Sequence, residues 1–452
     1  MKTIILLAAV VLLMQSLSLA GQDPAAAKAA AEKVLRESAN PSPAAQEPNT
    51  SGARDPAKTE IPKLVAGGEA FSADLYGRLA AKQGNLFFSP SSIRTALAMT
   101  YAGAAGDTAG EMARTLQFAL TGDALHTTFA AIIAQLNAPP KAGRSPAYEL
   151  VISNDLWGQK GYPFKADFTA RLKKDYGAEL NQVDFAAKTE EARKAINDAV
   201  AGQTRDKIKD LIGPGVLDKL TRLVLTNAIY FKSNWDEPFR NELTKPEPFK
   251  LSPEKSVDVP MMHQQKHFEN METGDFQVLE LPYKMNQLAM VIFLPRKADG
   301  LKDFEKSLTA GNLSKWLGEL KSPKRTREPA PIAVTLPKFT FADAFDLAEA
   351  LKAMGMPAAF DPVKADFSGM AEAAKTNEPP LFISAVIHKA FVAVDEQGTE
   401  AAAATAVVMR VGAARVPIEP KIFKADHPFV FLIRHNATGE ILFMGRLNNP
   451  KE

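Results

Sequence analysis

Apolar residues along the chain follow two patterns, one typical of strands and one typical of helices. Alternation or an unbroken apolar run predicts strands at residues 150–157, 223–239, 288–294, 332–341 and 381–395. The runs at 223–239 and 288–294 are apolar on both faces, which is typical of strands covered on both sides. The sequence therefore predicts that these strands lie inside the protein.

Helical spacing of apolar residues appears at 70–81, 164–176 and 190–211. A further helix is predicted over Pro90–Tyr101, because Ser89 is a preferred N-cap residue and proline is favoured at the first helical position. This helix is apolar nearly all round, so we expect it to be buried.

Residues 391–417 combine a strand pattern with an alanine-rich segment. Alternation of side chains through Asp395 ends at Gly398, and Thr399, Glu400 and four alanines follow. Alanine favours helix, so residues 399–409 have a local helical interpretation. The alternative is a strand that slips between two strands of a sheet, with Gly398 as a flexible pivot. Every second side chain would then point inward and is small enough to enter a packed interior: Thr399, Ala401, Ala403 and Thr405.

Four polar residues lie in apolar surroundings. Ser89 and Ser92 begin the buried helix, and Asn227 shares a strand face with Leu225 and Ile229, so its amide needs buried partners. His388 lies in the long strand at 381–395. Taken singly, these residues read as a cap, a helix-start hydroxyl, a buried amide and a core histidine.

The composition is that of an ordinary globular protein, with 452 residues, 46% hydrophobic, 23% charged and a net charge of +2. Lysine and arginine are dispersed, so no nucleic-acid partner is expected. Cysteine is absent, which excludes disulfides, a thiol nucleophile and thiolate metal sites.

The N-terminus predicts secretion, to the periplasm or outside the cell. Lys2 precedes the apolar run 4–14, and Ser18 to Ala20 form a small-residue cleavage site, so residues 1–20 are predicted to be a signal peptide. The run is too short to span a membrane. Residues 21–63 are rich in alanine and proline and are predicted to be a flexible spacer. The folded domain is predicted at 64–452.

Catalytic motifs are missing from the sequence. There is no G-x-S-x-G nucleophile elbow and no phosphate-binding glycine loop. His263 and His267 lack the glutamate of a zinc metalloprotease and are interpreted as exposed loop histidines. We therefore expect no catalytic residue, no metal and no cofactor.

Several stretches resemble the serpins, the serine-protease inhibitor superfamily, and specifically an inhibitory, secreted, prokaryotic-like member. The segment EQGTEAAAAT at 396–405 is similar to the inhibitory hinge, with Gln397 where glutamate is more usual. Residues 85–116 resemble the N-terminal signature and 427–450 the closing strand pair. Trp235 matches the tryptophan that the family keeps near the entry point of its loop.

The resemblance implies one α+β domain with three β-sheets, surrounding helices and an exposed reactive-centre loop. It implies suicide inhibition of a serine endopeptidase by a monomer, with the cleaved loop inserting into the central sheet. Ser89, Ser92, Asn227 and His388 match the family's polar cluster beneath that sheet. The implied hinge comprises Glu396, Gly398, Thr399, Glu400, Ala401, Ala402, Ala403, Ala404 and Thr405. Two alternatives remain: a non-inhibitory serpin-like binding or chaperone protein, and an unrecognised secreted hydrolase.

The family's spacing from the hinge acid, applied to Glu396, places the scissile bond at Gly412–Ala413. A small residue there favours an elastase-like or subtilisin-like protease. The segment that follows is long for the family, so cleavage shifted to Ala414 or Arg415 is an alternative. Arg410 or Arg415 would instead suit a trypsin-like pocket.

Overall fold

The computed structural model describes residues 59–142, 145–320, 330–372, 380–399 and 419–452. Its α-helices in chain order are α1 (Ile61–Leu79), α2 (Pro90–Tyr101), α3 (Gly106–Thr115), α4 (Gly122–Leu136), α5 (Ala166–Arg171), α6 (Phe185–Gln203), α7 (Leu301–Ser307), α8 (Ala310–Leu320) and α9 (Ala348–Met354). Helix α5 continues as a π-helical turn over Leu172–Tyr176.

Eighteen strands are present in the described part of the chain. They are β1 (Leu86–Phe88), β2 (Lys141–Ala142), β3 (Ser145–Pro146), β4 (Glu149–Gln159), β5 (Leu180–Val183), β6 (Leu223–Asn234), β7 (Lys245–Ser252), β8 (Lys255–Lys266), β9 (Asn270–Glu272), β10 (Phe276–Pro282), β11 (Leu288–Pro295), β12 (Ile332–Pro337), β13 (Phe339–Asp346), β14 (Ile383–Val394), β15 (Gly398–Thr399), β16 (Lys421–Lys424), β17 (Phe429–His435) and β18 (Ile441–Leu447).

Sheet A is the central sheet and has the strand order β13-β14-β15-β6-β4-β5. Strands β14 and β6 pair directly and in parallel along most of their length, from Ile383 opposite Leu223 to Phe391 opposite Tyr230. At the far end of this parallel seam the two strands separate, and the two residues of β15 pair with both of them in antiparallel fashion. Sheet A is thus closed along its length and open at one end.

Two further sheets complete the β-structure that packs around sheet A. Sheet B has the order β1-β18-β17-β11-β10-β9, and sheet C has the order β16-β12-β8-β7. Strands β11, β17 and β18 are buried at every residue, as expected for apolar runs covered on both faces. A two-stranded hairpin of β2 and β3 is separate from these sheets.

Helices cover both faces of sheet A. Helix α2 occupies the predicted range and is buried along nearly its whole length, with Ser89 as its N-cap residue. On the other face, α6 and the segment 204–222 pack on the sheet through a second apolar cluster that includes Ile196, Val200 and Leu217. Helix α2 therefore lies beneath the sheet, and α6 lies across its opposite surface.

Some local predictions were wrong. The helix predicted at 190–211 lies within Phe185–Gln203, where the non-helical backbone of Lys188 marks a kink. The Asp184 side chain caps the short turn before this kink by accepting from the Ala187 amide at 3.0 Å, and the main helix follows the kink. It ends early because Arg205 and Asp206 adopt left-handed backbone conformations. His263 was expected in a loop but lies in β8, where its Nδ1 is 3.2 Å from the Thr335 hydroxyl.

Helix α1 begins at Ile61, which is buried, and Pro62 lies in its first turn. The ordered helix thus starts slightly before residue 64, where the sequence predicts the start of the folded domain. None of the helices in the described part of the chain has the length and apolarity that crossing a bilayer requires.

Candidate functional site

A buried polar cluster joins helix α2 to three neighbouring strands of sheet A. Asn227 of β6 lies opposite His388 of β14 on one side and opposite Asn154 of β4 on the other. The first turn of α2 brings Ser89 and Ser92 beneath them. Ser89, Ser92, Asn227 and His388 are each at most 1% exposed, so every polar atom in the cluster depends on its neighbours.

The hydrogen bonds of the cluster form one connected network. The Ser89 backbone N–H donates to Nε2 of His388 at 3.1 Å, and His388 Nδ1–H donates to the Asn227 side-chain oxygen. The Asn227 amide donates to the Ser92 hydroxyl and to the Asn154 side-chain oxygen. Ser92 also donates to that oxygen at 3.1 Å. The network therefore links β14, β6 and β4 to each other and to α2.

The cluster holds His388 in its neutral form. Burial lowers the pKa of His388 to about 3, although its hydrogen bond with Asn227 acts in the opposite direction. Nε2 of His388 accepts a hydrogen bond from the Ser89 amide. A protonated Nε2 would be a donor facing another donor, so this hydrogen bond would be lost. The network is consequently complete only when His388 is neutral.

Asn154 belongs to this network but was not predicted from the sequence. Ile152, Asn154 and Leu156 share one face of β4, so a polar residue stands on an otherwise apolar strand face. The same signal identified Asn227, and it was available for Asn154.

Two residues of the predicted hinge, Gly398 and Thr399, lie at the open end of the parallel seam in sheet A. Thr399 pairs with Val394 of β14 and with Ser233 of β6, and its side chain is 1% exposed. It therefore points inward, as the sequence predicts for an inserted strand. Gly398 lies so close to β6 that a Cβ atom there would be 2.0 Å from the backbone oxygen of Ser233. Only glycine fits at this position without moving the backbone.

Glu396 anchors the turn before β15. Its carboxylate accepts from Lys338 Nζ at 2.7 Å, and its backbone oxygen accepts from the Phe239 amide at 2.8 Å. Burial alone would raise the pKa of Glu396, but the hydrogen bond from Lys338, with smaller contributions, outweighs burial and lowers that pKa. The carboxylate of Glu396 is therefore ionised and held in place near neutral pH.

Trp235 lies against the turn that precedes β15. Its indole Nε1–H donates to the backbone oxygen of Asp395 at 2.9 Å, and its backbone N–H donates to the oxygen of Gln397 at 2.8 Å. Asp395 in turn accepts from the amides of Gln397 and Gly398 through its side chain. Trp235 thus binds the turn that reverses the chain between β14 and β15.

The remaining predicted site residues lie outside the described residues. These are the rest of the hinge, the scissile bond and its alternatives: Glu400, Ala401, Ala402, Ala403, Ala404, Thr405, Arg410, Gly412, Ala413, Ala414 and Arg415. Their assignments stay predictions from the sequence.

Comparison with known proteins identifies the family. The family model described as "Serpin (serine protease inhibitor)" matches residues 66–450. Leukocyte elastase inhibitor of Equus caballus is 42% identical over 388 residues, which cover 84% of this chain and 97% of that protein. An uncharacterized serpin-like protein of Thermococcus kodakarensis is 43% identical and covers 85% of each chain. The crystal structure of Serpin48 of the insect Tenebrio molitor superposes with a TM-score of 0.73 at 31% identity, covering 88% of this chain and 99% of that one.

The chain belongs to the serpin family. The α+β fold with three sheets that the resemblance implied is confirmed. At the level of the family, the function is protease inhibition, and its members are generally not enzymes.

Proposed function

We propose that this serpin is a suicide inhibitor of serine endopeptidases that traps the acyl-enzyme by inserting its cleaved loop into sheet A. The observation that carries the proposal is β15. Gly398 and Thr399 already occupy the open end of the gap between β14 and β6 and pair with both strands. Further insertion continues a strand that has begun.

The architecture of sheet A supplies a driving force for insertion. The seam between β14 and β6 is a single parallel ladder. An inserted strand that continues β15 would replace it with two antiparallel ladders, which are slightly more stable per residue than parallel pairing. The small inward side chains predicted along the loop would enter the interior with little overpacking. The uncleaved protein would then be held by a kinetic barrier.

The polar cluster is suited to control this opening. Hydrogen bonds between β14, β6 and α2 hold the seam closed, yet the same groups can bond again after the strands separate. Apolar packing alone would not allow this exchange of partners. We assign Ser89, Ser92, Asn227 and His388 to control of sheet opening, and add Asn154.

The protease class follows from the loop sequence. Cleavage at Gly412–Ala413 would suit a shallow pocket of the elastase or subtilisin kind, and similarity to a leukocyte elastase inhibitor supports this choice. The protease forms an acyl-enzyme at the cleaved carbonyl, and insertion displaces it before hydrolysis. If the predicted signal peptide at 1–20 directs secretion, this encounter takes place outside the cytoplasm.

The test mixes the purified protein with an elastase, a subtilisin, a trypsin and a chymotrypsin, followed by denaturing gels and intact mass. We expect a band at the summed mass that survives denaturant, and the mass of the released C-terminal peptide gives the cleaved bond. Cleavage within the loop without such a band would refute trapping and favour the non-inhibitory alternative.

A charge on the inward face provides a sharper test. Thr399→Arg should reduce the trapped fraction by about tenfold or more and turn the protein into a substrate, because a buried unpaired charge costs several kcal/mol. Thr127→Arg is the matched control, since Thr127 is exposed on α4. Complexes at full yield in Thr399→Arg would contradict the inward assignment of Thr399.

A further inference from the structure

The hydroxyl of Tyr283 lies 2.7 Å from the hydroxyl of Thr399, the first inward side chain of the hinge. Tyr283 follows β10 of sheet B and is fully buried. Burial raises the pKa of Tyr283 well above its usual value, and the hydrogen bond with Thr399 lowers it only in part. The phenol is therefore neutral and able to donate to Thr399 or accept from it.

Residues outside the predicted hinge also hold this phenol in place. Its ring stacks on Trp235 with centroids 4.5 Å apart and an interplanar angle of 11°, and meets the edge of Phe231 at 5.2 Å. Its backbone N–H donates to the oxygen of Leu288 at 2.9 Å, and its backbone also pairs with that of Trp235. Sheet B thus presents a fixed hydroxyl at the end of the gap in sheet A.

We infer that Tyr283 is a positioning residue for loop insertion. Its hydroxyl holds Thr399 in the first inward place, so insertion starts from a pairing that exists before the protease arrives. The inference rests on the proposed function, because it concerns the step at which trapping competes with hydrolysis of the acyl-enzyme. Without the Tyr283 hydroxyl, Thr399 leaves the gap between β14 and β6 more often. It must then return to the gap before insertion can proceed.

The pair is suited to a double-mutant cycle, since each hydroxyl has a replacement of similar shape. Tyr283→Phe keeps the ring and Thr399→Val keeps the branched side chain, and each single variant leaves the other buried hydroxyl without its partner. A neutral hydrogen bond of ordinary strength corresponds to about fivefold in an equilibrium. Removing both hydroxyls leaves no unpaired group, so the double variant should recover most of the loss.

The first measurement is amide hydrogen exchange of Gly398 and Thr399 in the full chain without protease. Exchange should be about fivefold faster in each single variant and return toward the wild-type rate in the double variant. Tyr76→Phe is the control, because Tyr76 is another buried tyrosine, and its hydroxyl donates to Glu305 at 2.8 Å, away from the hinge. It should leave exchange at the hinge unchanged.

The second measurement is the number of inhibitor molecules consumed per protease molecule trapped. This number should rise about fivefold in each single variant and recover in the double variant. Unchanged hinge exchange in Tyr283→Phe, or losses that multiply in the double variant, would overturn the inference. If Tyr283→Phe does not fold, unchanged exchange in Thr399→Val alone overturns it as well. A wild-type protein that traps no protease refutes the proposed function instead, and the exchange result still decides the role of Tyr283.

Discussion

Protonation of His388 should weaken the closed state of sheet A in acid. The folded protein keeps His388 neutral down to about pH 3, whereas the unfolded chain takes up a proton near pH 6.5. Between these values the unfolded state binds one proton more than the folded state, so stability falls as the pH falls. The contribution of neutral His388 to the free energy of unfolding is fully present above pH 6.5 and is lost progressively below it.

The size of the effect follows from the difference between the two pKa values of His388. Each pH unit below 6.5 removes about 1.4 kcal/mol, so about pH 4.5 corresponds to a loss of about 2.7 kcal/mol. If the cluster is broken in the transition state for unfolding, this loss accelerates unfolding by about a hundredfold. His126 and His435, whose pKa values are also lowered chiefly by burial, add to the wild-type response.

The substitution His388→Gln isolates the contribution of His388. Glutamine can accept from the Ser89 amide and donate to Asn227, so it preserves the network but does not titrate. Unfolding rates in a fixed urea concentration are compared at about pH 7.5 and about pH 4.5. The wild type should accelerate between tenfold and about a hundredfold more than the variant. His267→Gln, at an exposed position, should behave as wild type.

Equal acid acceleration in wild type and His388→Gln would refute this reasoning. It would mean that His388 is already protonated in the folded protein at about pH 4.5 or that the cluster stays intact in the transition state.

Three further predictions concern the seam and its hinge. Cleavage within residues 400–418 should raise the thermal midpoint by more than about 10 °C in a calorimetric scan, because insertion adds paired strand, and an unchanged midpoint would argue against insertion. Gly398→Val should be cleaved without forming complexes on gels, because its Cβ would meet the Ser233 oxygen. Asn154→Ala should cost about 1–3 kcal/mol, because Asn227 and Ser92 lose a shared acceptor, and unfolding in urea should quicken accordingly.

Much of the fold is readable from local patterns. The start of α2 was predicted correctly because Ser89 and Pro90 provide a start signal that depends only on neighbouring residues. Helix α6 was extended too far because its end depends on left-handed residues in the segment that packs on sheet A. Apolar residues in that segment continue the helical spacing, so periodicity could not reveal where the helix stops.

The candidate site likewise has residues that the sequence indicates and residues that only the structure reveals. Gly398 and the small side chains at alternate positions indicate a hinge, because these features can be recognised within one short stretch of the sequence. Tyr283 carries no such signal, because a tyrosine after an apolar strand reads as an ordinary core residue. Its relevant partner, Thr399, is 116 residues away, and only the three-dimensional arrangement brings the two hydroxyls together.

The parallel seam also has a consequence for how the protein is made. The two strands of the seam, β14 and β6, are distant in the chain, since His388 and Asn227 are 161 residues apart. By contrast, β15 follows β14 within a few residues. Contacts between near neighbours form sooner than contacts between distant ones. In a chain diluted from denaturant, the loop can therefore pair with β14 before β6 reaches β14. During synthesis β6 emerges well before β14, which favours the intended pairing. Refolded and freshly synthesised samples of one sequence should accordingly differ in the fraction of molecules able to inhibit.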